Sequence, residues 1–218
     1  MQIRHTLTTR NVSISVVTVG GVIAVATTLA VLFYGRYLGY LSSRIMSFIG
    51  DFIIMAGVLL YSPSYRDRSV GVLSILAIVV GLLTVLVGVF VFRLYFHYIQ
   101  LGINPSAVNE VRGILLIYGA LNIVYVVVFS AALIVFGLRV RSTLIICSGV
   151  LYVLSLLIFY VIIFLMPYFV NFFAVGTKPI VEIFREYVHT CNVIKGILRI
   201  LSYCVLVGGS VSILLRKR

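Results

Sequence analysis

Acidic residues are nearly missing: five in 218 (Asp51, Asp67, Glu110, Glu182 and Glu186) against 17 Lys and Arg. Charged residues of both signs make up 10% of the chain, where an ordinary soluble domain has roughly 25%. That is too little polar side chain to cover a surface facing water. With 62% hydrophobic residues and a mean hydropathy of +1.23, the solvent for most of this chain is lipid.

Other scarcities exclude chemistry. The three cysteines (Cys147, Cys191, Cys204) are an odd number, two of them inside apolar runs, and no disulfide framework or metal-ligand spacing can be read from them. The three histidines (His5, His97, His189) fall in the N-terminal tail and in connections. A membrane haem of the b type needs ligands paired within spans, so haem is not expected. There is no H-E-x-x-H, no Gly-rich phosphate loop, no G-x-S-x-G and no pair of carboxylates in a membrane segment. Glu182 and Glu186 share a helix face, but at a membrane edge they solvate its polar side. The expectation is a protein that is not an enzyme and carries no cofactor and no metal.

A net charge of +12 would suggest nucleic acid as partner in a soluble protein. Here the basic residues flank apolar runs, where they set orientation and meet lipid headgroups, and no basic domain exists to bind nucleic acid. The partner that composition names is the lipid bilayer. Trp is absent and Arg outnumbers Lys fourteen to three, a thermophile-like balance.

What is present is a series of long apolar runs. A helix needs about 20 apolar residues to cross the hydrocarbon core. Six stretches qualify: Val12–Tyr34, Ile45–Tyr61, Ser69–Phe92, Gly113–Leu138, Ser142–Met166 and Gly196–Leu215. The second is short and contains Asp51. The last contains Arg199 near its start, where a long side chain can snorkel to the interface. The runs are continuous rather than alternating, which selects helices over a barrel. The predicted fold is therefore an all-α, polytopic integral membrane helical bundle of about six transmembrane helices, forming one transmembrane domain over residues 1–218. The first run follows the basic stretch "MQIRHTLTTR" but is too long for a signal peptide and is read as an uncleaved anchor.

The connections on one side (1–11, 62–68, 139–141 and 216–218) hold nine Lys or Arg in 24 residues, and those on the other (35–44, 93–112 and 167–195) seven in 59. The positive-inside rule places the dense side in the cytoplasm, so both termini are predicted cytoplasmic in a cell membrane. Tyrosines such as Tyr34, Tyr37, Tyr40, Tyr95 and Tyr98 fit an aromatic belt at the membrane edge.

The chain also repeats itself. "NEVRGILLI" (109–117) and "NVIKGILRI" (192–200) agree at five of nine positions, 83 residues apart. Tyr-Phe precedes both, and Gly-x-x-Pro follows it at nearly equal distance, with Gly102 and Pro105 answering Gly176 and Pro179; the second copy has nine extra residues after its proline. Each unit holds two spans, so the units share one orientation: a tandem, parallel helical-hairpin repeat, with a degenerate first copy over 10–61. Asn104 and Pro105 read as an N-cap and a first-turn proline. The second copy carries "PIVEIFREYVHTCNVIK" (179–195), whose apolar residues recur at helical spacing; an amphipathic helix in the outer interface is expected over about 179–194.

Three features are candidates for function. Asp51 is the only acid within a span, and Arg44, seven residues earlier, lies on roughly the same face. One reading has Asp51 held structurally by Arg44, Arg36 or a neighbouring hydroxyl; the other makes it a protonatable or cation-binding site on a transport path. The structural reading is the expectation, as it is for Asn122, a polar residue in the fourth span. Ser74, Ala77, Gly81, Thr84 and Gly88 recur at steps of three and four along the third span, a groove for close helix packing. Packing within the bundle is the expected use; docking to a copy of itself or to other membrane subunits is the sharper one. The sequence reading is thus a non-catalytic structural or accessory subunit of a membrane assembly, with a small transporter or channel using Asp51 as the alternative.

Overall fold

The computed structural model describes the backbone of residues 2–65, 68–101, 105–173 and 180–216, and the side chains of 9–34, 45–62, 68–91, 93–94, 113–114, 116–161 and 190–216. The described residues form five helical runs: α1 (Gln2–Tyr65), α2 (Arg68–Leu101), α3 (Pro105–Val140), α4 (Thr143–Phe173) and α5 (Ile180–Leu215). They contain six segments long and apolar enough to cross a membrane. α1 supplies two of them, Thr9–Tyr34 and Ile45–Ser62, because it folds back on itself. Ser13 Oγ donates to the Gly57 carbonyl at 2.8 Å, 44 positions along the chain. The 18 residues of the second arm, Ile45–Ser62, rise about 27 Å at 1.5 Å per residue, close to the thickness of the hydrocarbon core.

The arms touch through their smallest residues. A Cβ at Gly50 would lie 2.5 Å from Ala24 Cα, one at Gly20 2.7 Å from the Ile54 nitrogen, and one at Gly57 2.8 Å from the Val17 nitrogen. Backbones approach this closely only where no side chain separates them. Without a hydrophobic drive between helices in lipid, such contact is what holds the hairpin closed.

Each following helix packs antiparallel on its predecessor. Gly71 meets Ser62, and Gly88 meets Tyr118. Gly149 lies against Ser130 and Ile134, and Ser202 Oγ donates to the Ser148 carbonyl at 2.9 Å. α5 then closes on the first arm of α1, with Gly21 against Val207 and Gly196 against Leu32. The result is a closed ring of six crossings. Its two ends are distinct: one carries the start of α1, the end of α5 and the α3–α4 turn, the other the fold-back of α1 over 35–44. These are called the termini end and the fold-back end below.

The outer surface of the ring is apolar, with Leu29, Val72, Leu86, Leu116, Leu154 and Ile197 all exposed. Its interior toward the termini end is filled by Val58, Phe129, Leu133, Phe136, Ile145 and Leu206, each fully buried. The α3–α4 turn at that end is tight: Ser142 N–H donates to the Gly137 carbonyl and Arg141 N–H to that of Leu138. This is a Schellman cap in which Arg141, at φ 55°, takes the left-handed position that glycine usually fills.

α3 begins at Pro105, as a first-turn proline should. The helix expected over 179–194 is the first part of α5, which continues as one helical run from Ile180 into the last span. Its side chains up to 189 lie outside the described residues.

Candidate functional site: a carboxylate at the centre of the ring

Asp51 lies six residues into the second arm of α1, about 9 Å along the axis from Ile45. It points into the ring and is 2% exposed. Its neighbours along the ring are the first arm and α2, yet its partners come from the three helices opposite. Tyr125 of α3 and Tyr152 of α4 donate to Oδ2 at 2.9 and 2.7 Å, and Tyr203 of α5 donates to Oδ1 at 2.5 Å. A buried carboxylate is tolerable only when its oxygens accept hydrogen bonds, and charge-assisted ones are the strongest available.

Aromatic packing fixes these donors. The Tyr125 ring sits 5.9 Å from Phe48 and 5.8 Å from Phe129; Phe129 lies 4.5 Å from Tyr152, which lies 5.9 Å from Tyr203. Tyr125 and Tyr152 are thus flanked by rings on two sides and Tyr203 on one, which holds the hydroxyls toward Asp51. Beneath them, toward the termini end, the ring interior is closed by the apolar core.

On the fold-back side of Asp51 there is a cavity of about 40 Å³. Its polar lining comprises Ser47, Asp51, Thr84, Tyr118, Asn122 and Arg199, alongside Tyr125, and its apolar wall is Phe48, Val85 and Val89. The Arg199 guanidinium carbon lies 5.0 Å from the Tyr152 ring centroid, and its charge acts on Asp51. The snorkelling expected of Arg199 is not what the structure holds: a buried carboxylate and an aromatic face draw the side chain inward.

Of the residues singled out from sequence, the structure brings Asp51 and Asn122 to one cavity. Arg44 and Arg36 lie outside the described side chains. Hydroxyls hold Asp51, and they come from tyrosines that sequence reasoning passed over. The available signal was position: Tyr125, Tyr152 and Tyr203 stand well inside their spans, where a belt tyrosine does not belong. Ser74, Ala77, Gly81, Thr84 and Gly88 are all buried, and their face turns into the bundle. Gly81 receives the Phe48 and Tyr125 rings, and Gly88 receives that of Tyr118. Gly81, Thr84 and Gly88 line the cavity.

Among the described residues no group of three or more His, Cys, Asp or Glu converges to hold a metal ion. The groups that line the cavity can accept and donate hydrogen bonds and stabilise charge of either sign. No family model matches the chain, and no curated protein or solved structure matches it.

Proposed function

We propose that this protein is a small, non-catalytic membrane transporter or channel whose solute occupies the cavity beside Asp51. One observation carries the reading: a closed ring of six spans holds a cavity lined by both an acid and a base, Asp51 and Arg199, within the spans. Ionisable groups inside a span are costly and are kept where they face a solute path. A bundle needing only stability would do as well with apolar residues at these positions.

The accessory-subunit reading loses one of its motives, since the small-residue face of α2 is occupied within the bundle. On the transport reading, both termini lie in the cytoplasm and the cavity is on the outward side of Asp51, with the apolar core as the inner barrier. The α2–α3 and α4–α5 pairs are read as copies of one duplicated hairpin. Such parallel repeats build transporters whose halves move against each other around a central site.

The test is flux. Vesicles containing the purified protein are mixed with small neutral, anionic and cationic solutes, and volume recovery is followed by light scattering. Recovery faster than in protein-free vesicles for at least one solute, and lost in Asp51→Asn that still elutes as folded protein, is the expected result. Rates equal to protein-free vesicles for every solute would overturn the proposal.

A further inference from the structure

The groups around the cavity differ in how far their hydrogen-bonding capacity is met. Asp51 accepts three hydroxyl hydrogen bonds, one on Oδ1 and two on Oδ2. Thr84 already donates to the Val80 carbonyl at 2.7 Å. Arg199 is the opposite case. Its Nε is buried and has no hydrogen-bond partner among the described residues, and no carboxylate of a described residue comes within ion-pair reach. Its guanidinium lies over the face of Tyr152, which satisfies charge but accepts no N–H in the guanidinium plane. Asn122 is 7% exposed, lines the same cavity, and makes no hydrogen bond to a described residue.

The unmet demand of Arg199 is therefore for an acceptor. A guanidinium presents a planar fork matched to two oxygens, and a neighbouring amide N–H adds a third donor. The volume sets the size. A water needs roughly 10–15 Å³ of such space, so about 40 Å³ holds a guest of about three or four heavy atoms. Phe48, Val85 and Val89 offer an apolar wall for the end of the guest away from its charge. We infer that the cavity binds a small monocarboxylate of formate or acetate size, its oxygens on Arg199 and Asn122. Asp51 and its three tyrosines then act as the fixed counter-charge that keeps Arg199 in place without occupying its donors. This assigns a substrate class to the site and rests on reading the cavity as a solute site.

The experiment uses purified full-length protein in detergent. Its thermal midpoint is followed against sodium formate and sodium acetate, with sodium sulfate at matched ionic strength and methylammonium sulfate as the cation control. A saturable rise with formate or acetate, absent with both sulfates, is expected. Asn122→Leu removes one hydrogen bond to a charged guest and weakens binding roughly tenfold or more. Arg199→Lys keeps the charge, loses the fork, and weakens it at least as much. If Arg199→Lys does not fold, Asn122→Leu alone decides. No dependence on either carboxylate, a saturable rise with methylammonium instead, or wild-type affinity in Asn122→Leu would overturn the inference. Carboxylate binding without flux in vesicles overturns the transport proposal and leaves this one standing. Flux with no saturation by carboxylates does the reverse.

Discussion

Tyr203 and Asp51 stand 152 positions apart in sequence and are joined by a 2.5 Å hydrogen bond across the middle of the ring. With Tyr125 and Tyr152, this gives one carboxylate three donors on three different helices. The carboxylate is thus the point at which α3, α4 and α5 are tied to α1. Hydrogen bonds between membrane helices contribute about 0.6 kcal/mol on average and up to about 1.7; a charged acceptor puts these at the upper end. Each single Tyr→Phe change is therefore expected to cost about 1–2 kcal/mol in detergent unfolding. Asp51→Leu costs more than any one of them, because it strands three buried hydroxyls at about 1 kcal/mol or more each. Combining Asp51→Leu with all three Tyr→Phe changes should recover part of that loss. Strict additivity in this cycle would show that the four residues do not act as a unit.

The arms of α1 give a second expectation. Gly50 faces Ala24 backbone at 2.5 Å from where a Cβ would be, and Gly208 has nothing within 4 Å of its own. Both are helical, so both changes to Ala gain similar helix propensity, about 1 kcal/mol. Gly208→Ala should realise that gain. Gly50→Ala should instead lower the thermal midpoint, and Gly50→Leu should abolish recovery of monodisperse protein. Equal effects of the two alanines would mean that the close approach of the arms contributes nothing.

How far the sequence discloses this structure follows from which signals are local. Span positions are local, since hydropathy over about 20 residues decides them, and the six described segments fall where the runs predict. Asp51 and Asn122 are visible as polar letters in apolar text. Their partners are not. Nothing near Tyr125, Tyr152 or Tyr203 in sequence points to an acid between 74 and 152 residues away. Arg199 was misplaced for the same reason: snorkelling is the default for an isolated helix, and only the assembled ring supplies a carboxylate and a ring face for it to prefer. Ring closure, with α5 returning to the first arm, is likewise a property of packing. The small residues at Gly50 and Gly57 hint at the contact with Ala24 and Val17, yet they do not say which helix arrives.

The turn between α3 and α4 offers a change expected to stabilise. Arg141 sits at φ 55° with both Schellman hydrogen bonds formed. A non-glycine residue in that conformation costs roughly 1 kcal/mol, and Arg141 is exposed, so its side chain is not needed for packing. Arg141→Gly should raise the unfolding free energy by about 0.5–1 kcal/mol. An unchanged midpoint would show that the arginine holds a compensating contact with lipid headgroups, which repeating the measurement in mixed micelles with anionic lipid would reveal.

On the proposed reading both ends of the chain lie on one side of the bilayer, and the basic residues predict which side. The termini end carries Arg10, Arg139, Arg141 and Arg216, and its connections together hold nine Lys or Arg in 24 residues against seven in 59 on the other end. Positive charge in short connections is held on the cytoplasmic side. An epitope at either terminus should therefore resist protease in intact spheroplasts and be cut in inverted vesicles. Cutting of both epitopes in intact cells would reverse the orientation and turn the cavity toward the cytoplasm. Cutting of one alone would require an odd number of crossings, and with it the closed ring that places Tyr203 against Asp51 would fail.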